Sequence, residues 1–200
     1  MPLGLFGGTF DPVHLGHLIM AEQCLEACQF DELWFIPAGD PPHKSGGAVT
    51  PGAARAEMLE LAIAGHPRFR VSRVELQRPG PSFTVDTLQQ IHEEVPAREL
   101  FFLIGADSLA DLPLWRNPQR IAELATLVVV NRGSAPAVIS DRLRAEPGDT
   151  ALARIRQVSI PGIDISSSDL RRRVRAGRSI RYLTPRAVEC YIATHGLYRE

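Results

Sequence analysis

The chain has almost no net charge. Its 22 Lys and Arg residues stand against 23 Asp and Glu, which leaves −1 over 200 residues. That balance removes any global field drawing the protein to nucleic acid or an anionic membrane, so anion binding must be local. Cysteine is scarce as well: Cys24, Cys28 and Cys190 are the whole set. An odd, sparse set argues against a disulfide framework and for a reducing compartment. Cys24 and Cys28 lie four apart on an expected helix and share a face, but further nearby metal ligands are missing. They read as small semi-apolar packing residues. No apolar run approaches bilayer-spanning length, and the opening "MPLGLFGG" lacks the basic leader and long apolar stretch of a signal peptide. Internal repeats and low-complexity segments are also missing. The expectation is a cytoplasmic protein with neither a membrane nor a nucleic acid as partner.

What is present is enough apolar content, 44%, to fill the core of one domain spanning residues 1–200. Apolar runs alternate with helical patterns. Strands are expected at 3–6, 32–37, 69–76, 100–105, 126–131 and 157–165, the last broken by Pro161-Gly162. Helices are expected at 17–28, 53–65, 84–95, 118–125, 167–177 and 184–196. Ser82 or Thr84 caps the third of these, serines cap the fifth, and Thr184 with Pro185 opens the last. A Pro- and Gly-rich loop covers 38–50, a short polar turn follows the strand ending at 105, and 133–150 holds a loop with one helix. This alternation predicts a Rossmann-like α/β fold: a doubly wound, mostly parallel sheet with helices on both faces, in a single domain with a small C-terminal helical part. Ligands in such folds bind beyond the carboxyl ends of the strands, so the chemistry is sought at 6–17, 37–46, 105–116, 131–133 and 160–171.

The first of these segments, "LFGGTFDPVHLGH" at 5–17, is the most informative. Gly7 and Gly8 follow the first strand and let a phosphate or sugar approach the main chain. Asp11-Pro12 makes a turn. The helix then begins near Val13 or His14, with free N–H groups and a positive dipole end. His14 and His17, three apart, project from one face of its first turn, and Gly16 keeps the surface between them low. Free amides, a dipole and two imidazoles make an anion site. A metal centre would need a third ligand, and no H-E-x-x-H pattern supplies one; a plain strand–helix turn with two exposed histidines remains the bland alternative. The segment is neither a G-K-[ST] phosphate loop nor a G-x-G-x-x-G dinucleotide fingerprint.

"GGTFDPVHLGH" closely resembles the first signature of the nucleotidylyltransferase superfamily, G-x-F-D-x-x-H-x-G-H, and "ISSSDLR" at 165–171 resembles its second, I-S-S-T-x-x-R. Ser168 stands where threonine is usual and keeps the hydroxyl. "PPHK" at 41–44, "PSFTVDTL" at 81–88, "IGADSL" at 104–109, Trp115 and "HGLYR" at 195–199 extend the resemblance over essentially the whole chain, most closely to bacterial nicotinate mononucleotide adenylyltransferases. The resemblance implies transfer of the adenylyl group of ATP to nicotinate mononucleotide, with Mg²⁺ carried mainly by the triphosphate and no metal held by protein side chains. The partners implied are these two small molecules, and a homo-oligomer is compatible with them. The alternative within the superfamily is a different acceptor, nicotinamide mononucleotide or phosphopantetheine.

The resemblance also implies roles. His14, His17, Lys44 and Arg171 form the catalytic set, with His17 on the α-phosphate. ATP is held by Gly7, Gly8, Thr9, Phe10, His14 and His17 from the first signature and by Ile165, Ser166, Ser167, Ser168 and Arg171 from the second. Gly105 and Asp107 serve the ribose, and Arg132 approaches the adenylyl portion. On the mononucleotide side Trp115 is an aromatic platform, Thr84 and the amides around Trp115 are carboxylate donors, and Lys44 and Arg116 add charge. Arg116 stands where some relatives carry tyrosine; its side chain either reaches the ring or leaves the contact to the backbone. Arg172, Arg173 and Arg175 read as a solvated face.

Overall fold

A computed structural model of the chain describes residues 1–39, 49–132 and 154–199. The strands are β1 (Pro2–Gly8), β2 (Glu32–Pro37), β3 (Phe69–Val71), β4 (Glu99–Gly105), β5 (Ala125–Arg132) and β6 (Ile155–Ile160). They form one sheet in the order β3-β2-β1-β4-β5-β6, every pair parallel. A parallel sheet must be covered on both faces, and the strands are apolar on both. In β4, Leu100, Phe102 and Ile104 face one core cluster, while Phe101 and Leu103 face the other. In β5, Leu127 and Val129 divide from Val128 and Val130 in the same way.

Each cluster is completed by helices. α1 (Leu15–Ala27), α2 (Gly52–Ile63), α6 (Ser167–Arg175) and α7 (Arg186–Thr194) cover one face. α3 (Thr84–Glu94), α4 (Ala106–Asp111) and α5 (Pro118–Leu124) cover the other, with a short 3₁₀ turn at Leu112–Leu114. Cys24 and Cys28 are buried in the α1 layer, as expected of packing residues. Burial pushes the Cys24 thiol up to about 12 and raises that of Cys28 as well.

β1 lies between β2 and β4, so the chain winds outward in both directions from it. The switch point, where ligands bind in open α/β sheets, is therefore the crevice beyond the carboxyl ends of β1 and β4.

Several local expectations change. The strand expected over 69–76 stops at Val71. Ser72 N–H donates to Phe35 O, and the Arg73 carbonyl then accepts from Leu76 and Gln77, turning the chain. The turn buries Val74 and Glu75, and the Glu75 carboxylate accepts from Thr87 Oγ1 at 2.8 Å and from Gly39 N–H at 3.3 Å. Those polar partners lie off the sheet, so the segment leaves it. The polar turn expected after β4 is helix α4. Phe83, not Ser82 or Thr84, occupies the cap position of α3, because the Ser82 hydroxyl accepts from Gly39 N–H instead. Pro185, not Thr184, precedes α7, and the buried Thr184 hydroxyl donates to Val13 O at 2.8 Å. The expected serine cap holds at Ser166, which accepts from Asp169 N–H. β6 ends at Ile160, before Pro161-Gly162. The expected loop and helix at 133–150, and most of the loop at 38–50, lie outside the described residues. Among the described residues no helix is long and apolar enough to cross a membrane.

Candidate active site

A cleft of about 520 Å³ opens at the switch point. Gly7, Gly8 and Thr9 at the end of β1 form one wall, and Ile104 and Gly105 at the end of β4 form another. Both β1 glycines are needed for close packing. A Cβ on Gly8 would stand 2.9 Å from Phe10 Cζ, and one on Gly7 would stand 3.2 Å from Phe102 Cζ. Two aromatic rings thus fill the space that side chains would take, and bare main chain faces the cleft.

The two histidines are not equivalent. His17, at the third position of α1, lines the cleft, while His14, the residue preceding α1, is 3% exposed behind it. Their rings stack with centroids 3.6 Å apart and planes 18° apart. Phe10 braces the His17 ring edge-on at 5.0 Å. The His14 backbone N–H donates to His17 Nδ1 at 3.2 Å. A neutral imidazole that accepts at Nδ1 carries its proton on Nε2, so His17 presents an N–H donor. Phe10 itself is 2% exposed and lies in the core rather than on the cleft wall.

The second signature is bonded to the first. Ser167 Oγ donates to Pro12 O at 2.9 Å, and Arg171 Nη1 donates to Asp11 O at 2.7 Å. The C-terminal layer adds Leu15 N–H to Leu183 O at 3.0 Å and Tyr198 OH to Asp11 Oδ1 at 2.6 Å. The turn before α1 has carbonyls that no helical N–H can reach, and these side chains satisfy them. The structure thus engages Arg171 with Asp11 and, at 3.4 Å, with Ser168 Oγ. Ser166 and Ser168 are exposed at the start of α6, and Ile165 packs against the α1-side core. The α6 start stands beside the Asp11-Pro12 turn, outside the lining of the cleft. Asp11 is 4% exposed, and its second oxygen accepts from Thr50 N–H at 3.4 Å. Burial, and next the bond to Asp11, hold the Tyr198 phenol far above its ordinary range.

Trp115, Arg116, Thr84 and Phe83 also line the cleft. Trp115 meets Phe102 edge-on at 6.4 Å. The Arg116 guanidinium lies 4.8 Å over the Phe83 ring and 3.4 Å from Asp86, a cation–π arrangement at the cleft mouth. The Trp115 N–H is already donated to Leu112 O at 3.0 Å, so that amide is spent within the fold. Gly105 precedes α4 on the wall, Asp107 lies within α4, and Arg132 ends β5; the side chains of the latter two are not among those described. Lys44 lies outside the described residues. Among the described residues, no three or more His, Cys, Asp or Glu side chains gather as a metal site.

Two residues that the sequence reading missed are buried at this end of the sheet. Glu75 lines the cleft through the turn described above. Arg55, on α2, is 1% exposed and donates to three carbonyls: Thr9 O at 2.8 Å, Ala38 O at 2.7 Å and Thr50 O at 2.8 Å. A signal existed for it. In "AARAEMLELAI" Arg55 is in phase with Met58 and Leu59 on the apolar face, where a charged residue is out of place unless it has partners.

The arrangement offers bare main chain, an imidazole N–H donor and an aromatic platform around one cleft, which suits a nucleotide phosphate at one end and a flat ring at the other. Comparison with known proteins agrees. The cytidylyltransferase-like family profile matches residues 5–173. A probable nicotinate-nucleotide adenylyltransferase of Thermomicrobium roseum is 51% identical over 98% of this chain and 91% of its own length. One from Thermus thermophilus is 48% identical over 100% of both chains. Among solved structures, Plasmodium falciparum nicotinic acid mononucleotide adenylyltransferase complexed with NaAD superposes with a TM-score of 0.78, at 18% identity, over 98% of this chain and 97% of that one; at that identity the likeness is one of fold. By the extent of these matches, the chain belongs to the cytidylyltransferase-like family.

Proposed function

We infer that this protein is a nicotinate-nucleotide adenylyltransferase, which joins ATP and nicotinate mononucleotide into nicotinate adenine dinucleotide and pyrophosphate in NAD biosynthesis. One observation carries the reading: relatives bearing that name are about half identical along the full chain. The cleft agrees with it, because a phosphate donor group and an aromatic platform face the same space.

In this reaction a phosphate oxygen of the mononucleotide attacks the α-phosphorus of ATP. The bond from that phosphorus to the β-phosphate oxygen breaks, and pyrophosphate leaves with the electron pair. The nucleophile is already ionised near neutral pH, so the site needs no strong base. It must hold two polyanions together and stabilise charge on the in-line transition state. His17 does so by donating Nε2–H to an α-phosphate oxygen. Its Nδ1 bond to the His14 N–H supports a neutral ring as the donor. His14 serves from behind, as the group that fixes the His17 ring.

The main chain of Gly7, Gly8 and Thr9 accepts the nucleotide closely. The α6 start with Ser166, Ser167 and Ser168, which stands beside the Asp11-Pro12 turn outside the cleft lining, and Lys44 serve the outer phosphates. Arg171 contributes by fixing the Asp11 turn, and Gly105 with Asp107 serves the ribose. Trp115 stacks on the pyridine, and Thr84 and Arg116 stand nearest its carboxylate. Mg²⁺ carried by the triphosphate would supply neutralisation of phosphate charge. Residues 1–200 act as one domain, in the cytoplasm.

The test is pyrophosphate release from ATP with nicotinate mononucleotide, nicotinamide mononucleotide or phosphopantetheine as acceptor. The expected result is the highest kcat/KM with nicotinate mononucleotide. Turnover with phosphopantetheine alone would assign the protein to a different branch of the superfamily.

A further inference from the structure

We propose that Arg55 is a positioning residue for adenylyl transfer, setting the shape of the phosphate-binding wall from beneath. Its guanidinium is almost wholly enclosed, and its three bonds reach three segments separate in sequence. Thr9 ends the β1 glycine wall. Ala38 directly follows β2 and lines the same cleft. Thr50 lies where the chain re-enters α2, and its N–H also reaches Asp11 in the first signature. One rigid planar fork therefore fixes the Thr9 end of the β1 wall against the residue after β2 and the segment before α2.

Its environment suits that task better than simple stabilisation. Burying a guanidinium is costly, and burial is the leading influence drawing the Arg55 pKa down. The charges of Asp11, Tyr198 and Glu75 act in the opposite direction. An apolar side chain would fill the same space on α2 at less cost, but it would leave three carbonyls unpaired at the site. Five donors in a fixed plane satisfy them together; an ammonium is a compact donor without that geometry.

The inference rests on the adenylyltransferase reading, and the experiment keeps the two apart. Wild-type protein is first assayed for pyrophosphate release from ATP and nicotinate mononucleotide. Failure there rejects the reaction, whatever Arg55 does. Arg55→Lys and Arg55→Gln are then compared with wild type and with Met58→Ala, a core truncation on the same helix that makes none of these bonds. Kinetics are run well below each melting transition and expressed per folded molecule. The Arg55 variants should lose about tenfold or more in kcat and raise KM for ATP, with Lys retaining more than Gln. Met58→Ala should melt earlier yet keep kcat and both KM values. Arg55 variants that melt earlier with unchanged kinetics, or that do not fold at all, would make the residue a determinant of the fold and overturn the proposal.

Discussion

His17 accepts the backbone N–H of His14 at its Nδ1, 3.2 Å away, while the two imidazoles stack at 3.6 Å. The contact makes His17 a donor through Nε2 and holds its ring against the cleft wall. His17→Ala should lower kcat by roughly 10²–10³-fold, the loss typical of removing one transition-state donor. The melting temperature should change little, because His17 is only partly buried. His17→Gln, which restores an N–H near the Nε2 position, should recover part of the rate. Steady-state kinetics with parallel melting curves check this; equal rates for His17→Ala and wild type would remove His17 from the mechanism.

Gly16 separates activity from stability. A Cβ there would stand 3.1 Å from His14 Nδ1 and 3.2 Å from its Cε1, in the ring that also stacks on His17. Alanine favours a helix over glycine by about 1 kcal/mol. Gly16→Ala is therefore expected to melt at the same temperature or higher while turnover falls several-fold. A more stable enzyme with undiminished kcat would show that the histidine pair tolerates displacement.

Tyr198 gives a pH dependence at the alkaline end. The folded state raises its pKa, first through burial and then through the bond to Asp11. An unfolded tyrosine ionises near about 10. The folded state thus keeps a proton that the unfolded state releases, and the stability Tyr198 contributes is fully present below about pH 10 and lost as pH rises beyond it. Tyr198→Phe should destabilise the protein by about 1–3 kcal/mol at neutral pH, because buried Asp11 loses a donor. Denaturant titrations should show the difference between the two proteins shrinking above that pH. A constant difference would mean that Tyr198 ionises alike in both states.

The thiols report on packing. Cys24 and Cys28 are buried and Cys190 is exposed, and burial keeps the Cys24 thiol protonated up to about 12. A thiol reagent should modify one cysteine in the native protein and three in denaturant. Rapid native reaction at Cys24 would contradict the packing of α1 on the sheet.

Lys44 is the chain's single lysine, so an amine reagent addresses it with little competition beyond the N-terminus. ATP should slow modification of Lys44, and Lys44→Ala should reduce kcat by about tenfold or more if it meets the triphosphate in the transition state. Unchanged labelling and kinetics would return it to the solvated surface.

The elements whose burial is written in their residue order were legible. "LFFLIG" and "TLVVV" could only be strands covered on both faces, and the periodicity of "HLIMAEQCLEAC" placed its cysteines in the core. The glycine–histidine segment named its own chemistry, because glycine, turn and paired imidazoles at a strand end have few other uses together. Less legible were places where a polar side chain finds a distant partner. Glu75 left its strand pattern for Thr87 and Gly39, and Thr184 gave up a cap for Val13. None of these three partners lies within the window that local periodicity surveys.

Residue order alone specifies the parallel α/β layering, the strand end that carries the site and the residue types available there, since these follow from local pattern and from backbone freedom at glycine. Which histidine faces the cleft depends on long-range packing. That packing also turns Arg171, Ser167 and Tyr198 toward the first signature's turn, and it gives Arg55 the carbonyls of three separate segments to hold. Those outcomes depend on desolvation. Once the sheet and its helices exclude water, each buried carbonyl and carboxylate must take whatever donor the packing brings within reach, and no short stretch of sequence specifies which donor that is.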